Sequence, residues 1–148
     1  EAWLSDNFNN KESVHLRNFP KIENTWKDNN LLEKWKNIIN VRKVVNSAIE
    51  IQREKKLVGS SLEASVEVLV SKKIKNYLIN MNLNDLFIVS EAKIVDKLSG
   101  EEFSLDGIND ISVNIKKAEG KKCERCWVIS KDVIKDTNLC NRCNDVTK

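Results

Sequence analysis

The chain has 148 residues, 41% of them hydrophobic and 32% charged, with a formal net charge of +3 at pH 7. That apolar content can bury a core and excludes wholesale disorder, and the length allows one domain or a small domain with pieces attached. No run approaches the ~18 apolar residues of a membrane span, residues 1–6 lack the segments of a secretory leader, and the small net charge does not by itself mark a nucleic-acid binder.

The charge is unevenly placed. Residues 31–59 carry seven basic and three acidic groups, residues 60–118 seven and nine, and residues 119–148 seven and five. Two basic segments therefore flank an acidic one. The chain starts at Glu1 without an initiating Met, and we expect it to be a piece of a longer protein.

Residues 1–30 show little periodicity. Trp3, Leu4, Phe8, Val14, Leu16, Phe19, Ile22 and Trp26 are scattered among Asn, Asp and Lys. Pro20 opposes a helix through it, because its ring removes a donor and clashes with the preceding turn. We read an irregular segment that buries its aromatics against something else.

A helix is predicted over residues 31–57. Asn30 can cap it, with Glu33 completing a capping box. Leu31, Trp35, Ile38, Val41, Val45, Ala48 and Ile49 recur at three- and four-residue steps. Gly59 can close it in a left-handed conformation. A helix of ~40 Å with one apolar stripe calls for a bundle partner, and little else in the chain offers one. Arg42 and Arg53, eleven residues apart, lie about 20° apart around the axis. Either they snorkel along the edge of the stripe, or with Lys56 they face an RNA backbone.

Beyond Gly59 the period changes. Ala64, Val66, Val68 and Val70 alternate with Ser65, Glu67 and Leu69, as in a half-buried strand. Ser71 can cap a short helix through Met81 that gathers Ile74, Tyr77, Leu78 and Met81 on one side. Leu86-Phe87-Ile88-Val89 is read as a second strand, continued through Ala92-Lys93-Ile94-Val95. Turns at Ser99-Gly100 and Asp106-Gly107 bound a weaker strand near Phe103, and Ile111, Val113 and Ile115 mark the last. There is no internal repeat and no Gly-rich phosphate loop.

All four cysteines fall in the last 26 residues, as Cys123-x2-Cys126-x13-Cys140-x2-Cys143. Each C-x2-C turn can point two sulfurs at one centre, and two such knuckles supply a tetrahedron of thiolates that suits zinc. An iron–sulfur cluster and disulfides are the rival accounts. Disulfides fit a secreted framework, whereas these cysteines are confined to one tail. Four thiolates leave no open position, so a single Zn2+ would be structural, and folding of so short a segment would be linked to binding it. Loading lowers the formal charge by two, to about +1. Arg125 and Arg142 each precede the second Cys of a knuckle. They can offset the charge of the site, or reach a phosphate or base. Trp127 follows Cys126 and lies near Lys121 and Lys122, and an exposed indole flanked by cations suits stacking of an unpaired base.

Lys122-Cys123-Glu124-Arg125-Cys126-Trp127, followed by Leu139-Cys140-Asn141-Arg142-Cys143, resembles the zinc tail of bacterial isoleucyl-tRNA synthetases. Gly59-Ser60-Ser61-Leu62-Glu63-Ala64, after a helix holding Val41-Arg42 and Arg53, is similar to the junction in those enzymes between anticodon-binding bundle and C-terminal region. Glu1-Ala2-Trp3 and Glu12-Ser13-Val14-His15-Leu16 resemble the segment before that helix. Residues 71–110 carry no motif matched to the family. The zinc motif alone is also similar to that of formamidopyrimidine-type DNA glycosylases.

That resemblance implies the C-terminal part of an enzyme that joins isoleucine to its tRNA through an ATP-derived adenylate. Neither the His-x-Gly-His nor the Lys-Met-Ser-Lys-Ser type motif is present, so ATP, catalysis and editing belong to a part outside this chain, and the lone His15 is read as non-catalytic. The implied architecture is α+β: residues 1–58 end a helical anticodon-binding domain, 59–119 form a small junction domain of mixed or antiparallel strands, and 120–148 form the zinc module. The implied partners are the tRNA anticodon stem-loop and the rest of the synthetase, in the cytoplasm and without a membrane. Arg125 and Trp127 match the motif positions implied to touch the anticodon loop, with Arg142, Lys121, Lys122, Arg42 and Arg53 as further contacts. Two other readings stand beside it: the DNA-binding tail of a glycosylase, and a structural zinc module docked on its own protein.

Overall fold

The computed structural model describes residues 21–147. The irregular segment and its aromatics up to Phe19, Pro20, His15 and the two N-terminal family motifs lie outside the described residues.

A 3-10 turn at Asn24–Trp26 leads into helix α1, Asn29–Glu54. Asp28, not Asn30, caps it: the Asp28 carboxylate accepts from the Leu31 N–H at 2.9 Å. Glu33 reaches away from the backbone to an ion pair with Lys73 at 2.7 Å. The far end also closes earlier than Gly59. Lys56 takes the left-handed conformation (φ 58°), the Lys56 N–H donates to Arg53 O, and the Leu57 N–H donates to Gln52 O. This is a Schellman closure with lysine where glycine is normally favoured. Lys56→Gly should therefore raise stability by about 0.5–1 kcal/mol, measured as a higher urea midpoint at unchanged slope.

The rest of the main body is a four-stranded mixed sheet, in the spatial order β2 (Glu91–Ile94), β1 (Ala64–Val70), β4 (Ile108–Lys117) and β3 (Phe103–Leu105). Strand β1 (Ala64–Val70) runs antiparallel to β4 (Ile108–Lys117), with Val66 opposite Ile115 and Val68 opposite Val113. It runs parallel to β2 (Glu91–Ile94), and β3 (Phe103–Leu105) pairs antiparallel on the far side of β4. The crossover from β1 to β2 holds two short helices, α2 (Lys72–Leu78) and α3 (Leu83–Phe87).

The predicted strand at 86–89 is thus corrected. Leu86 and Phe87 end α3, which the Asn82 side chain caps, and Ile88 breaks out in the left-handed region. Four apolar residues in a row do not distinguish a strand from the buried end of a helix. The continuation from Ala92 to Ile94 is a strand.

The core joins helix and sheet. Ile38, Val41, Val44, Val45, Ala48 and Ile49 of α1 are buried with Val66, Val68, Ile111, Val113 and Ile115, and with Ile74, Leu78 and Phe87 of the crossover helices. Each of these side chains except that of Ala48 contributes roughly 1.5–3 kcal/mol. The sheet, rather than a second bundle helix, receives this half of the stripe. Leu31, Leu32, Trp35 and Ile39 on the first half of α1 remain exposed, as does Trp26.

On the face of the sheet away from α1, Glu67 is buried, where alternation had placed it in water. It sits opposite Lys93 on one neighbouring strand and Asn114 on the other. Its carboxylate accepts from the Ser99 N–H at 3.0 Å, the Ser99 hydroxyl and Asn114 Nδ2 at 3.2 Å, and it pairs with Lys93 at 3.3 Å and Lys116 at 3.5 Å. Gly100 lies so close that an added Cβ would fall 2.8 Å from Asn114 Nδ2. The loop between β2 and β3 is thereby tied down over the sheet.

Candidate metal centre

After β4 the chain passes through Gly120, whose φ of +130° suits glycine alone and where a Cβ would lie 2.3 Å from the Ser130 carbonyl oxygen. A two-stranded ribbon follows, β5 (Lys121–Lys122) paired with β6 (Ile129–Ser130). The first cysteine knuckle is the tip of this ribbon. Cys123 N–H donates to Val128 O, and Trp127 N–H folds back onto Cys123 O, both at 2.9 Å. The second knuckle opens the five-residue helix α4 (Asn141–Asp145), with Cys140 at its cap position.

The four sulfurs come together. All lie within 4.8 Å of one another, and Cys126 Sγ is 3.7 Å from Cys140 Sγ. Four thiolates at 2.3 Å from one zinc would be ~3.8 Å apart, so the spacing fits a tetrahedral ion. Cys123, Cys140 and Cys143 are buried and Cys126 is half-buried. Burial opposes ionisation of Cys123, but the N–H groups of Cys126, Cys140 and Arg125 aimed at its sulfur prevail and hold the thiol down at about 6. At Cys140 burial dominates and pushes the thiol up to about 12. Four sulfurs packed this closely, three of them buried, cannot all shed protons without a cation among them, so the donor set is that of a structural Zn2+ with no position left for substrate.

The two arginines brace the knuckles crosswise. Arg125 on the first donates from Nη1 to Cys143 Sγ on the second at 3.8 Å. Arg142 on the second lies against Cys126 on the first, whose thiolate raises the guanidinium pKa further. Both also reach the surface. Trp127 turns outward and is 61% exposed, with its backbone left-handed at φ 65°. Lys122 Nζ stands 5.3 Å from its ring centroid, within cation–π range, and Lys121 is exposed beside it. Arg42 and Arg53 are on α1, on a different cleft, where Arg53 pairs with Glu50 at 2.9 Å and Arg42 makes no ion pair or hydrogen bond among the described residues.

The zinc module is held against the sheet by Ser90, which no motif or periodicity marks. Its buried hydroxyl donates to Leu62 O at 2.5 Å and accepts from the Ile129 N–H at 2.7 Å.

Residues 120–146 match the family model described as a zinc finger found in FPG and IleRS. The whole chain is 40% identical to isoleucine–tRNA ligases of Staphylococcus aureus strains JH9, Newman and JH1. The chain is homologous to the C-terminal part of isoleucine–tRNA ligase. It spans 16% of the length of those ligases. The zinc-finger match is common to both enzyme classes, but the identity extends through the helix and sheet to the ligases, so the glycosylase reading is not favoured. Among the described residues no helix is long and apolar enough to cross a membrane.

Proposed function

We propose that the chain is the tRNA-binding C-terminal part of an isoleucine–tRNA ligase and that its metal-held knuckle reads the anticodon stem-loop. The observation that carries this reading is the exposed Trp127 ring, rooted in a metal-held turn beneath Lys122. A fixed aromatic face beside cations is what sequence-tolerant stacking of unpaired bases requires. Arg125 and Arg142 serve two ends here, offsetting the sulfur charge with some N–H groups while others remain open to phosphate. Lys121, Lys122, Arg42 and Arg53 extend the cationic surface. The Arg53–Glu50 pair is solvent-exposed on both sides, so it contributes little and yields readily to a phosphate.

In this reading residues 1–58 end the anticodon-binding domain, 59–119 form the junction, and 120–148 present the zinc module. ATP, the adenylate and editing are handled by the remaining part of a cytoplasmic ligase, which is also the partner of this chain.

The test compares tRNA carrying the isoleucine anticodon, an anticodon-swapped tRNA and duplex DNA as ligands of the zinc-loaded chain. Preference for the first supports the reading. Equal affinity for all three, falling steeply with salt, would mark binding by charge alone. Trp127→Ala should weaken binding of the matched tRNA by about 1–3 kcal/mol at unchanged zinc content. Unchanged affinity would return the ring to a structural role.

A further inference from the structure

Helix α1 carries a second apolar line beside the one that meets the sheet. Leu32, Trp35 and Ile39 follow one another at steps of three and four, with Leu31 alongside, and all four are exposed. Arg42 and Asn46 continue the line by the same steps and turn it polar. Only the stretch from Leu31 to Ile39, about 12 Å of helix, is therefore apolar on this side. An amphipathic helix with one stripe is satisfied by one packed layer. This half of α1 has two stripes and one layer.

The chain already bends toward this line as it enters the helix. The 3-10 turn at Asn24–Trp26 brings the Trp26 ring, itself 72% exposed, to a cleft of about 490 Å3 that Leu31, Leu32 and Trp35 also line. Ile22, just ahead of the turn, is exposed as well. The other exposed large apolar side chains, such as Ile79 and Val146, occur singly along the rest of the chain. Scattered residues of that kind need no partner, whereas a contiguous apolar patch marks a contact surface.

We infer that residues 1–19 of this chain are a strap that covers Leu31, Leu32, Trp35 and Ile39 and so fixes the direction from which the polypeptide enters α1. The segment carries Trp3, Leu4, Phe8, Val14, Leu16 and Phe19, apolar side chains that no periodicity assigns to an element of their own. It joins the described chain at the mouth of the cleft, since Lys21 is only five residues ahead of Trp26. Nineteen extended residues span up to about 65 Å, several times the length of the apolar line. Pro20 opposes a helix that would run straight on into α1, which leaves the segment to turn back along it.

Other occupants fit less well. A second copy would have to compete with a segment whose tether holds it at a local concentration in the millimolar range. A helix of ordinary length packed along α1, ~11 residues or ~17 Å, would carry its contacts past Ile39 onto Arg42 and Asn46. A strap of a few residues can stop where the apolar line stops. The opposite side of α1 is already taken, because Val41, Val44, Val45 and Ala48 are enclosed against the sheet. The inference stands apart from the RNA-binding reading, and its failure would leave that reading untouched.

The test places the photocrosslinker p-benzoylphenylalanine at position 32, where the Leu32 side chain is exposed, in the full zinc-loaded chain. After irradiation over a range of protein concentrations, the adducts are mapped by peptide mass spectrometry. Adducts within one chain to residues 1–19, at a yield independent of concentration, are expected. Phe8→Ser, Leu16→Ser and Phe19→Ser combined should abolish them while the amides pairing β1 with β4 keep wild-type exchange protection. Adducts that survive the three serines would report the tether alone and overturn the strap. Adducts only between copies, rising with concentration, would overturn it by assigning the face to a second molecule, and so would irradiation that yields no adduct to residues 1–19.

Discussion

Stripping the metal from the chain with a chelator is expected to unfold residues 121–145 and leave the four-stranded sheet intact. The zinc module has almost nothing else to hold it. Its buried core consists of Cys123, Cys140 and Cys143, with only Cys126, Val133 and Leu139 packed around them. Its strands are two residues long and its helix five. Structural zinc in comparable peptides contributes apparent free energies of ~10–16 kcal/mol at neutral pH, far more than so small a core can replace. The main body keeps its own core under α1. Amide exchange reads both parts at once. Cys123, Trp127 and Asn144 should lose protection, while the amides pairing β1 with β4 keep theirs. Cys140→Ser should do the same without a chelator. Loss of protection across the sheet as well would show that the Ser90 clip welds the two parts into one cooperative unit.

The second large effect concerns Glu67. Replacing it with Gln should cost about 2–3 kcal/mol, because Ser99, Asn114 and two lysines are arranged to donate to a carboxylate and an amide offers only one acceptor. The figure is at the lower end for a buried ion pair, since Lys93 and Lys116 are about half exposed and solvent screens their share. The Ser99 hydroxyl is the largest influence on the carboxyl. With the Ser99 N–H, Asn114 and Lys93 it outweighs burial and holds the pKa far below the ordinary value of 4.5. A depressed native pKa means that this stabilisation is complete above the unfolded value and disappears as pH falls below it. Wild-type stability, followed by urea unfolding, should therefore decline from about pH 5 downward more steeply than that of Glu67→Gln, and the gap should close in acid. Parallel pH curves for the two proteins would remove Glu67 from the account.

Glu67 also marks the limit of what periodicity can tell. Strand β1 was legible residue for residue from Ala64 to Val70, since its valines alternate and Gly59 and Ser71 bracket it. The same alternation put Glu67 in water, because no pattern within a strand records that a loop thirty residues later folds over it. The exposure of Trp127 was legible, but the backbones of Ile88 and Trp127 were hidden for a related reason: both are left-handed without being glycine or asparagine, so tertiary constraint overrode local preference. The helix over α1 was visible from its stripe, yet its partner was not, because a stripe states that a face is buried and not against what. The metal centre was the most legible feature. Its ligands are set by spacing within short turns, and the chemistry of four thiolates admits few occupants.

The conformation of Trp127 has a kinetic consequence. Its backbone root is fixed by the turn between Cys123 and Val128, so only two side-chain torsions would remain to be ordered by the base stacking proposed above. Little mobility is left to forfeit on contact, and a preorganised surface of this kind improves residence time far more than encounter frequency. In the proposed complex the contribution of this ring would thus be expressed in how slowly the stacked nucleotide leaves.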